Sequence, residues 1–290
     1  MPSPRRHSSA VDRRALSASL RALREGRGLS LDEAASSALD ASGAKLSRIE
    51  TGKQLAGPRD VRDLCRLYEA GEERTAHLVS LATSAREPGW WEGYEVNDDE
   101  YVGLEAGALS VHEFQNSFVP ALLRTRQYAA AFLSHVVNPG RLKPWTSAQI
   151  EQILAIQEIR MQVLNPSSGM SLFFLIDEAA LRRAVGGGAT MFAQLKWIME
   201  VADHPNVNIR VLPLSYGASP SQQGGFTLLT LPGEAVDVAY LETLGGYIFL
   251  DSLRELSRFQ RLFALIWDSC PDESITHETL TRIAAETSKD

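Results

Sequence analysis

Basic and small polar side chains are interleaved in one short segment near the amino terminus. Lys45 and Arg48 are one helical turn apart, and Lys53 follows them. Cationic side chains at this spacing can neutralise neighbouring phosphates of a nucleic acid. The alanine and serine side chains between them are small enough to reach base edges or a thymine methyl group. The residues predicted to meet double-stranded DNA are Arg21, Ser30, Ser42, Gly43, Ala44, Lys45, Ser47, Arg48 and Lys53.

These side chains need helices to present them, and the surrounding sequence predicts a helical bundle. Apolar residues at helical spacing predict helices over 13–25, 58–69 and 72–86. Ser30 and Glu33 form a capping box that opens a second short helix, and Ser42 is placed to cap a third that ends near Glu50. The alternative is a generic helical bundle whose charges are only solvated. The short helices, the glycine stops and the serine caps favour DNA binding.

The charges divide the chain into two unlike parts. Residues 1–66 hold 13 basic and 8 acidic residues, a net charge of +5, whereas the remainder holds 16 and 28, a net charge of −12. A basic module joined to an acidic body is expected when only the first part meets phosphate. We therefore predict a disordered lead-in over 1–12, a DNA-binding domain over 13–70, a helical linker over 71–89 and an effector or partner-binding domain over 90–290.

The predicted fold class is α+β, an all-α bundle followed by a mixed α/β domain. In the second part, helices are predicted over 103–116, 126–135, 147–164, 190–203, 253–267 and 274–286. Strands are predicted over 171–176, 207–212, 226–231 and 236–242, the second of which alternates apolar and polar residues.

Residues 16–69 resemble the Cro/C1-type (XRE family) helix-turn-helix in LRALR at 20–24, GLS at 28–30 and LSRIETG at 46–52. The resemblance implies a structural ion pair between Arg24 and Glu50, which excludes both from DNA contact. The segment 35–42 is one residue longer than the turn of that family, and Gly43 and Ala44 replace longer polar residues. This departure predicts weak direct base readout.

The rest of the chain resembles an antitoxin-like domain of unknown function that follows this helix-turn-helix in actinobacterial regulators. The matching segments are GWW at 89–91, YVGLE at 101–105, VPALLRT at 119–125, YA at 128–129, DEAALRR at 177–183, VLP at 211–213 and GFTL at 225–228. The resemblance implies a regulator paired with a small partner protein encoded nearby. Two interpretations stay open: a regulator that senses a partner protein or ligand, and an antitoxin-like module that neutralises a small protein and uses DNA binding for autoregulation.

Two sets of residues in the second part could contact that partner or ligand. Trp90, Trp91 and Tyr94 form an aromatic cluster suited to an interface, although packing between the domains is the alternative. Glu178 and Arg182 are one helical turn apart, and a surface ion pair is the alternative there.

The sequence offers little support for catalysis. Ser219 lies in GASPS at 217–221, which lacks the second glycine of a nucleophile elbow. Gly186 to Gly188 precede a helix, but no Gly-Lys-Ser/Thr follows, so a flexible turn is favoured over a phosphate loop. The six histidines lack metal-ligand spacing. We therefore expect no enzymatic activity, no metal and no cofactor.

Composition indicates a globular protein of a reducing compartment. Cys65 and Cys270 lack a metal-ligand or redox spacing and are expected to be free thiols. No apolar run reaches the length of a membrane span, and the amino terminus lacks a signal-peptide core, so a cytoplasmic location is expected. A homodimer is expected as well, because one short recognition helix contacts too little DNA to select a site alone.

Overall fold

The amino-terminal part is a five-helix bundle. The computed structural model describes residues 8–92, 94, 99–138, 143–218, 224–243 and 245–287. The bundle consists of α1 (Ser9–Gly26), α2 (Leu31–Leu39), α3 (Gly43–Glu50), α4 (Pro58–Leu67) and α5 (Glu72–Ser84). Its core is formed by side chains from all five helices, among them the fully buried Leu20, Ala34, Leu46, Leu64 and Leu78. The α2–α3 pair is the helix-turn-helix, and the other helices hold it in place.

The ends of the bundle differ from the prediction. The predicted lead-in over 1–12 is wrong for its last residues, because Ser8 caps α1 by accepting the Val11 N–H and the helix begins at Ser9. Val11 gives this extra turn an apolar contact that holds it in place. Residues 1–7 lie outside the described residues. At the other end, α5 falls in the predicted linker but packs Leu78 and Ala82 into the bundle core.

The second part is a six-stranded mixed sheet with helices on both faces. Its helices are α6 (Asp99–Gly107), α7 (Arg126–His135), α8 (Ser147–Arg160), α9 (Glu178–Arg182), α10 (Gly188–Ala202), α11 (Leu253–Ser269) and α12 (Glu273–Thr287). Its strands are β1 (Ser110–Gln115), β4 (Ser171–Asp177), β5 (Val207–Leu212), β6 (Phe226–Thr230), β7 (Val238–Thr243) and β8 (Gly246–Leu250). Two further short strands, β2 (Val137–Asn138) and β3 (Lys143–Pro144), form a separate hairpin.

The strand order of the main sheet is β5-β4-β1-β6-β7-β8. β1, β4 and β5 are parallel, and β6, β7 and β8 continue the sheet in antiparallel fashion. One face packs against α6, α10 and α12 in the larger core, and the opposite face is covered by α11. The predicted α+β class, a helical bundle followed by a mixed α/β domain, is confirmed.

One predicted helix is wrong in its second half. The helix expected over 103–116 ends at Gly107, and Ser110–Gln115 is strand β1 in the middle of the sheet. Val111 and Glu113 lie on one face and Phe114 contributes to the core on the other, so both faces of this strand are covered. Strand β8 was not predicted. The fully covered β1 carries no clear alternation, and β8 is only a short edge strand.

Helix α1 is shared by the two parts of the molecule. Val11 and Ala15 contribute to the larger core, whereas Leu16 and Leu20 contribute to the bundle core. The amino-terminal turn of α1 lies close to α6, and the Ser8 hydroxyl donates to the Gly103 carbonyl over 2.6 Å. A Cβ at Gly103 would lie 2.7 Å from the Ala10 Cβ, so glycine permits this close approach. None of the described helices is long and apolar enough to cross a membrane.

Candidate nucleic-acid interface

The turn between α2 and α3 is short and well bonded. The Ser30–Glu33 capping box opens α2, as predicted, and Asp40 ends it in the left-handed conformation, with φ 45°. The predicted longer turn is wrong: α2 continues through Leu39, so only residues 40–42 separate the helices, a usual length for this motif. Ser42 is the cap residue of α3, but its side chain makes no capping hydrogen bond. Its hydroxyl is therefore not used by the helix.

Asp32 fixes the start of α3. Its carboxylate accepts the Gly43 N–H over 3.0 Å, and a Cβ at position 43 would lie only 2.3 Å from the Asp32 Oδ1. Gly43 is therefore required by the contact between α2 and α3. It is also buried, so its predicted place on the groove-facing surface is wrong.

A buried ion pair holds the inner side of the helix-turn-helix. Arg24 donates from Nε and Nη2 to the two carboxylate oxygens of Glu50 over 2.8 and 2.9 Å, and it also donates to the Leu29 carbonyl. The two side chains are 11% and 4% exposed. The hydrogen bonds that Arg24 donates to Glu50 raise the pKa of Arg24. This arrangement confirms the predicted pair and joins α1, the start of α2 and the end of α3.

The outer surface of α3 is open to solvent. Ser42, Ala44 and Arg48 are exposed, and Lys45 and Ser47 are partly exposed. Arg48 donates from Nε to the Gln54 Oε1 over 3.2 Å, which places its guanidinium along the loop after the helix. Lys53 is exposed in that same loop. The structure thus brings together six of the predicted residues on one face, which we call the α3 face: Ser42, Ala44, Lys45, Ser47, Arg48 and Lys53.

The remaining predicted residues have local partners. The Ser30 hydroxyl bonds to Glu33 within the capping box. Arg21 is exposed on α1 and pairs with Glu25 at 2.9 Å, and this hydrogen bond raises its pKa. Both residues lie outside the α3 face, and their contact with DNA stays a prediction.

Sequence reasoning missed the first turn of α4. Asp60 lies 3.6 Å from the Lys45 Nζ, so the amino-terminal end of α4 is beside α3. Arg59, whose side chain is 93% exposed, precedes Asp60 and adds a cation next to the α3 face. The signal was present in the sequence as a basic residue directly after the helix-opening Pro58.

Residues 99–282 match the family model described as a domain of unknown function, DUF5753, and they make up more than half of the chain. The chain belongs to the DUF5753 family. Residues 15–78 match a model described as a helix-turn-helix domain, which supports a DNA-binding regulator. No curated protein and no solved structure matches the chain.

Within the DUF5753 chain, the predicted aromatic cluster is packed inside the protein. Trp91 is buried against Val102 and Ile156, and Trp90 and Tyr94 are partly buried against the same cluster. The rings of Trp90 and Trp91 meet edge to face, with centroids 5.7 Å apart. This geometry favours the packing alternative over a partner contact.

Glu178 of the DUF5753 domain is also buried by its own neighbours. Its Oε1 is 2.8 Å from Arg182 and 3.2 Å from Arg282, and its Oε2 accepts the Leu214 N–H. These hydrogen bonds lower its pKa despite burial. The Glu178–Arg182 ion pair, the alternative to a partner contact, therefore forms, and Glu178 ties α9 to α12 and to the turn after β5.

Both cysteines are free, buried thiols, as predicted. Burial raises the pKa of the Cys65 thiol and raises that of Cys270 to about 12. Both thiols therefore stay protonated and unreactive at neutral pH.

Proposed function

We propose that this DUF5753 chain is a sequence-specific transcriptional regulator, in which α3 enters the major groove and the carboxy-terminal domain acts as the effector domain. The observation that carries the proposal is the division of α3 into two sides. Its inner side is fixed by the Arg24–Glu50 pair, while the α3 face is accessible and carries cations. A recognition helix requires both, because it must be held rigidly and still reach the bases.

Each member of the α3 face has a chemical role in this proposal. Arg48, Lys53 and the neighbouring Arg59 contact phosphates, which supplies affinity but no sequence information. Lys45 does the same, since its ammonium has further donors beside the one directed at Asp60. Ala44, Ser42 and Ser47 face the bases, where short side chains read thymine methyl groups and single acceptors. With so few base contacts, most of the binding energy comes from phosphates.

The small number of base contacts that one α3 helix can make also points to a homodimer. One eight-residue recognition helix cannot supply the contact area of a specific site, whereas two α3 helices about 34–36 Å apart would read two half-sites. Sedimentation of the free protein would give its oligomeric state, and sedimentation of its complex with a selected duplex would give the number of chains per duplex. Two chains per duplex are expected, and one chain per duplex would contradict the dimeric arrangement.

A second candidate function is the antitoxin-like one, in which the DUF5753 domain binds a small partner protein. It is favoured by apolar side chains on one edge of the sheet: Ile248 is exposed on the edge strand β8, and Leu253 is exposed at the start of α11. Coexpression with any small proteins that the neighbouring genes encode would test it. We expect a stoichiometric complex that is abolished by Ile248→Asp and also by Leu253→Asp. The absence of a complex with every small protein tested would contradict this function.

The experiment that tests the main proposal is selection from a random duplex pool with the full-length protein, followed by footprinting on the selected sequence. A single enriched motif with a protected major groove is expected. Arg258, an exposed arginine of α11, offers a matched control. Arg258→Ala should select the same motif, whereas the double substitution Lys45→Ala and Arg48→Ala should select none. No enrichment with the parent protein would overturn the proposal.

A further inference from the structure

A row of polar groups crosses the otherwise apolar face of the sheet that meets α6. Glu113 of β1 pairs in register with Phe174 of β4 on one side and with Thr227 of β6 on the other. Thr227 in turn pairs with Tyr240 of β7. Glu113 and Thr227 are both buried. The preceding pair on this face, Val111 and Leu229, is apolar and belongs to the core. A carboxylate at this position interrupts the core and needs an explanation other than packing.

Glu113 is incompletely bonded. It is 4% exposed, and the donor that the structure places on it is the Gln115 amide, which lies 2.9 Å from Oε1. Among the described residues, no donor reaches its second carboxylate oxygen. Burial raises the pKa of this carboxyl to about 7, and the arginines nearby only partly offset that effect. The site therefore lacks one cationic donor.

Arg124 is also incompletely bonded, but it lacks an acceptor where Glu113 lacks a donor. Its Nε donates to the Val119 carbonyl over 2.7 Å, and its guanidinium lies 4.2 Å from the Phe132 ring centroid. No carboxylate of the described residues forms an ion pair with it, although Glu242 and Glu113 attract it at longer range. Burial lowers the pKa of this arginine. The site therefore also lacks one anionic acceptor.

A complete ion pair next to these residues makes the contrast clear. Arg160 of α8 donates to both oxygens of Glu105 of α6, over 2.7 and 2.8 Å. The ring of Tyr101 lies beside this pair, 4.3 Å from the ring centroid of Tyr240. The fold thus satisfies one buried pair with a bidentate contact, whereas Glu113 and Arg124 attract each other without forming an ion pair.

We propose that Glu113 and Arg124 form a binding site for a small zwitterion of the amino-acid type, with its ammonium on Glu113 and its carboxylate on Arg124. Tyr101 and Tyr240 would flank the rest of the molecule. A guanidinium binds a carboxylate through parallel hydrogen bonds, and an ammonium supplies the donor that the buried glutamate lacks. The inference rests on the proposed function in one respect, since the zwitterion would be the effector of the DNA-binding regulator.

The test uses the full-length protein without DNA at pH 8, where Glu113 is ionised. The twenty standard L-amino acids are screened by thermal shift, and those that stabilise the protein are titrated calorimetrically. Saturable binding at one site per chain is expected. N-acetylation, which removes the ammonium, and amidation, which removes the carboxylate, should each weaken binding about tenfold or more, the value of one charged hydrogen bond.

Variants assign the site. Glu113→Gln and Arg124→Gln should each weaken binding about tenfold or more. Glu200→Gln changes an exposed glutamate of α10 and should leave binding unchanged. Glu113→Gln is expected to fold, because it removes only a buried charge and keeps an acceptor for Gln115. No binding by any of the twenty amino acids, or equal affinity in Glu113→Gln and the parent, would overturn the inference.

The outcome is separable from that of the regulator proposal. If the protein selects a DNA motif but binds no amino acid, only the proposed zwitterion site is overturned. If it binds an amino acid but selects no DNA motif, the regulator proposal is overturned and the zwitterion site stands.

Discussion

At the scale of single residues, two buried carboxylates have opposite surroundings. Glu50 meets a guanidinium on both oxygens, whereas Glu113 meets one amide. A buried carboxylate is tolerated when it is paired and costs stability when it is not. Glu50 therefore stabilises the helix-turn-helix. Glu113 destabilises the fold, and a bound ligand could offset that loss of stability.

Removing Glu50 should unfold the bundle under conditions in which the parent is stable. Glu50→Ala leaves the Arg24 guanidinium buried without its partner, which is expected to cost about 3–5 kcal/mol. Glu25→Ala removes an exposed carboxylate that pairs with Arg21 and also lies 3.5 Å from Arg24, and it is expected to cost about 1 kcal/mol or less. Urea unfolding followed by circular dichroism would compare the two variants. Equal midpoints for Glu50→Ala and Glu25→Ala would contradict a structural role for the pair.

Glu113 should make stability depend on pH. Its pKa in the folded state is about 7 against an ordinary 4.5, so the folded state holds a proton that the unfolded state loses. Stability therefore falls as pH rises between these values, and the loss is complete above pH 7. The charged groups around it are Glu105 on α6, Arg160 on α8 and Arg124 before α7.

Glu113→Gln should remove that loss. Its unfolding free energy should exceed the parent's by up to about 3 kcal/mol at pH 8 and by little near pH 4.5. Urea unfolding at the two pH values measures the difference, with Glu200→Gln as the control. A variant that is less stable than the parent at pH 8 would show that Glu113 is needed for the fold itself.

At the scale of elements, the close contact of α2 with α3 depends on Gly43. Gly43→Ala would place a Cβ against Asp32 and disturb the hydrogen bond that starts α3, at an expected cost of about 1–3 kcal/mol. Gly26→Ala is a matched control, since a Cβ there meets nothing within 4 Å. The midpoint of thermal unfolding and the affinity for a selected duplex should both fall for the first variant, and neither should fall for the second. An unaffected Gly43→Ala would contradict the proposed rigid hold on α3.

The bundle was predictable because its signals are local. The capping box at Ser30, the proline at the start of α4 and the apolar spacing of α1 are read from neighbouring residues. Strand β1 was missed because what makes it a strand lies far along the chain, in β4 and β6. The α3 face could likewise be predicted from its charges. The burial of Gly43 and the positions of Glu113 and Arg124 could not, because they depend on tertiary packing.

At the scale of the whole molecule, the two parts are joined by charged contacts as well as by α1. Glu234, in the hairpin between β6 and β7, accepts hydrogen bonds from Arg74 of α5 and Ser19 of α1. Arg14 of α1 donates to the Val236 carbonyl and to Asp251. Strands β6 and β7 also carry Thr227 and Tyr240, so the hairpin links the proposed zwitterion site to the bundle. A ligand that moved these strands could alter DNA affinity only if it bound the two states unequally.

Glu234→Ala should weaken the contact between the hairpin and the helical bundle. Arg74 lowers the pKa of Glu234 to about 2, so the contact is complete at neutral pH and is lost only as pH falls from about 4.5 toward 2. Both side chains are about one-third exposed, so the expected cost is no more than about 1 kcal/mol. Faster hydrogen exchange in the 231–237 hairpin is expected at pH 7, with Glu278→Ala as an exposed control. Unchanged exchange would show that Glu234 does not hold the two parts together.

The most direct test of the central claim, that the α3 face meets DNA, is the salt dependence of binding to a selected duplex. Each phosphate contact contributes about one to the slope of log K against log salt. Lys45→Ala and Arg48→Ala should each weaken binding and reduce that slope by about one, while Arg258→Ala should match the parent. Parent-like affinity for Lys45→Ala and Arg48→Ala at every salt concentration would contradict the account.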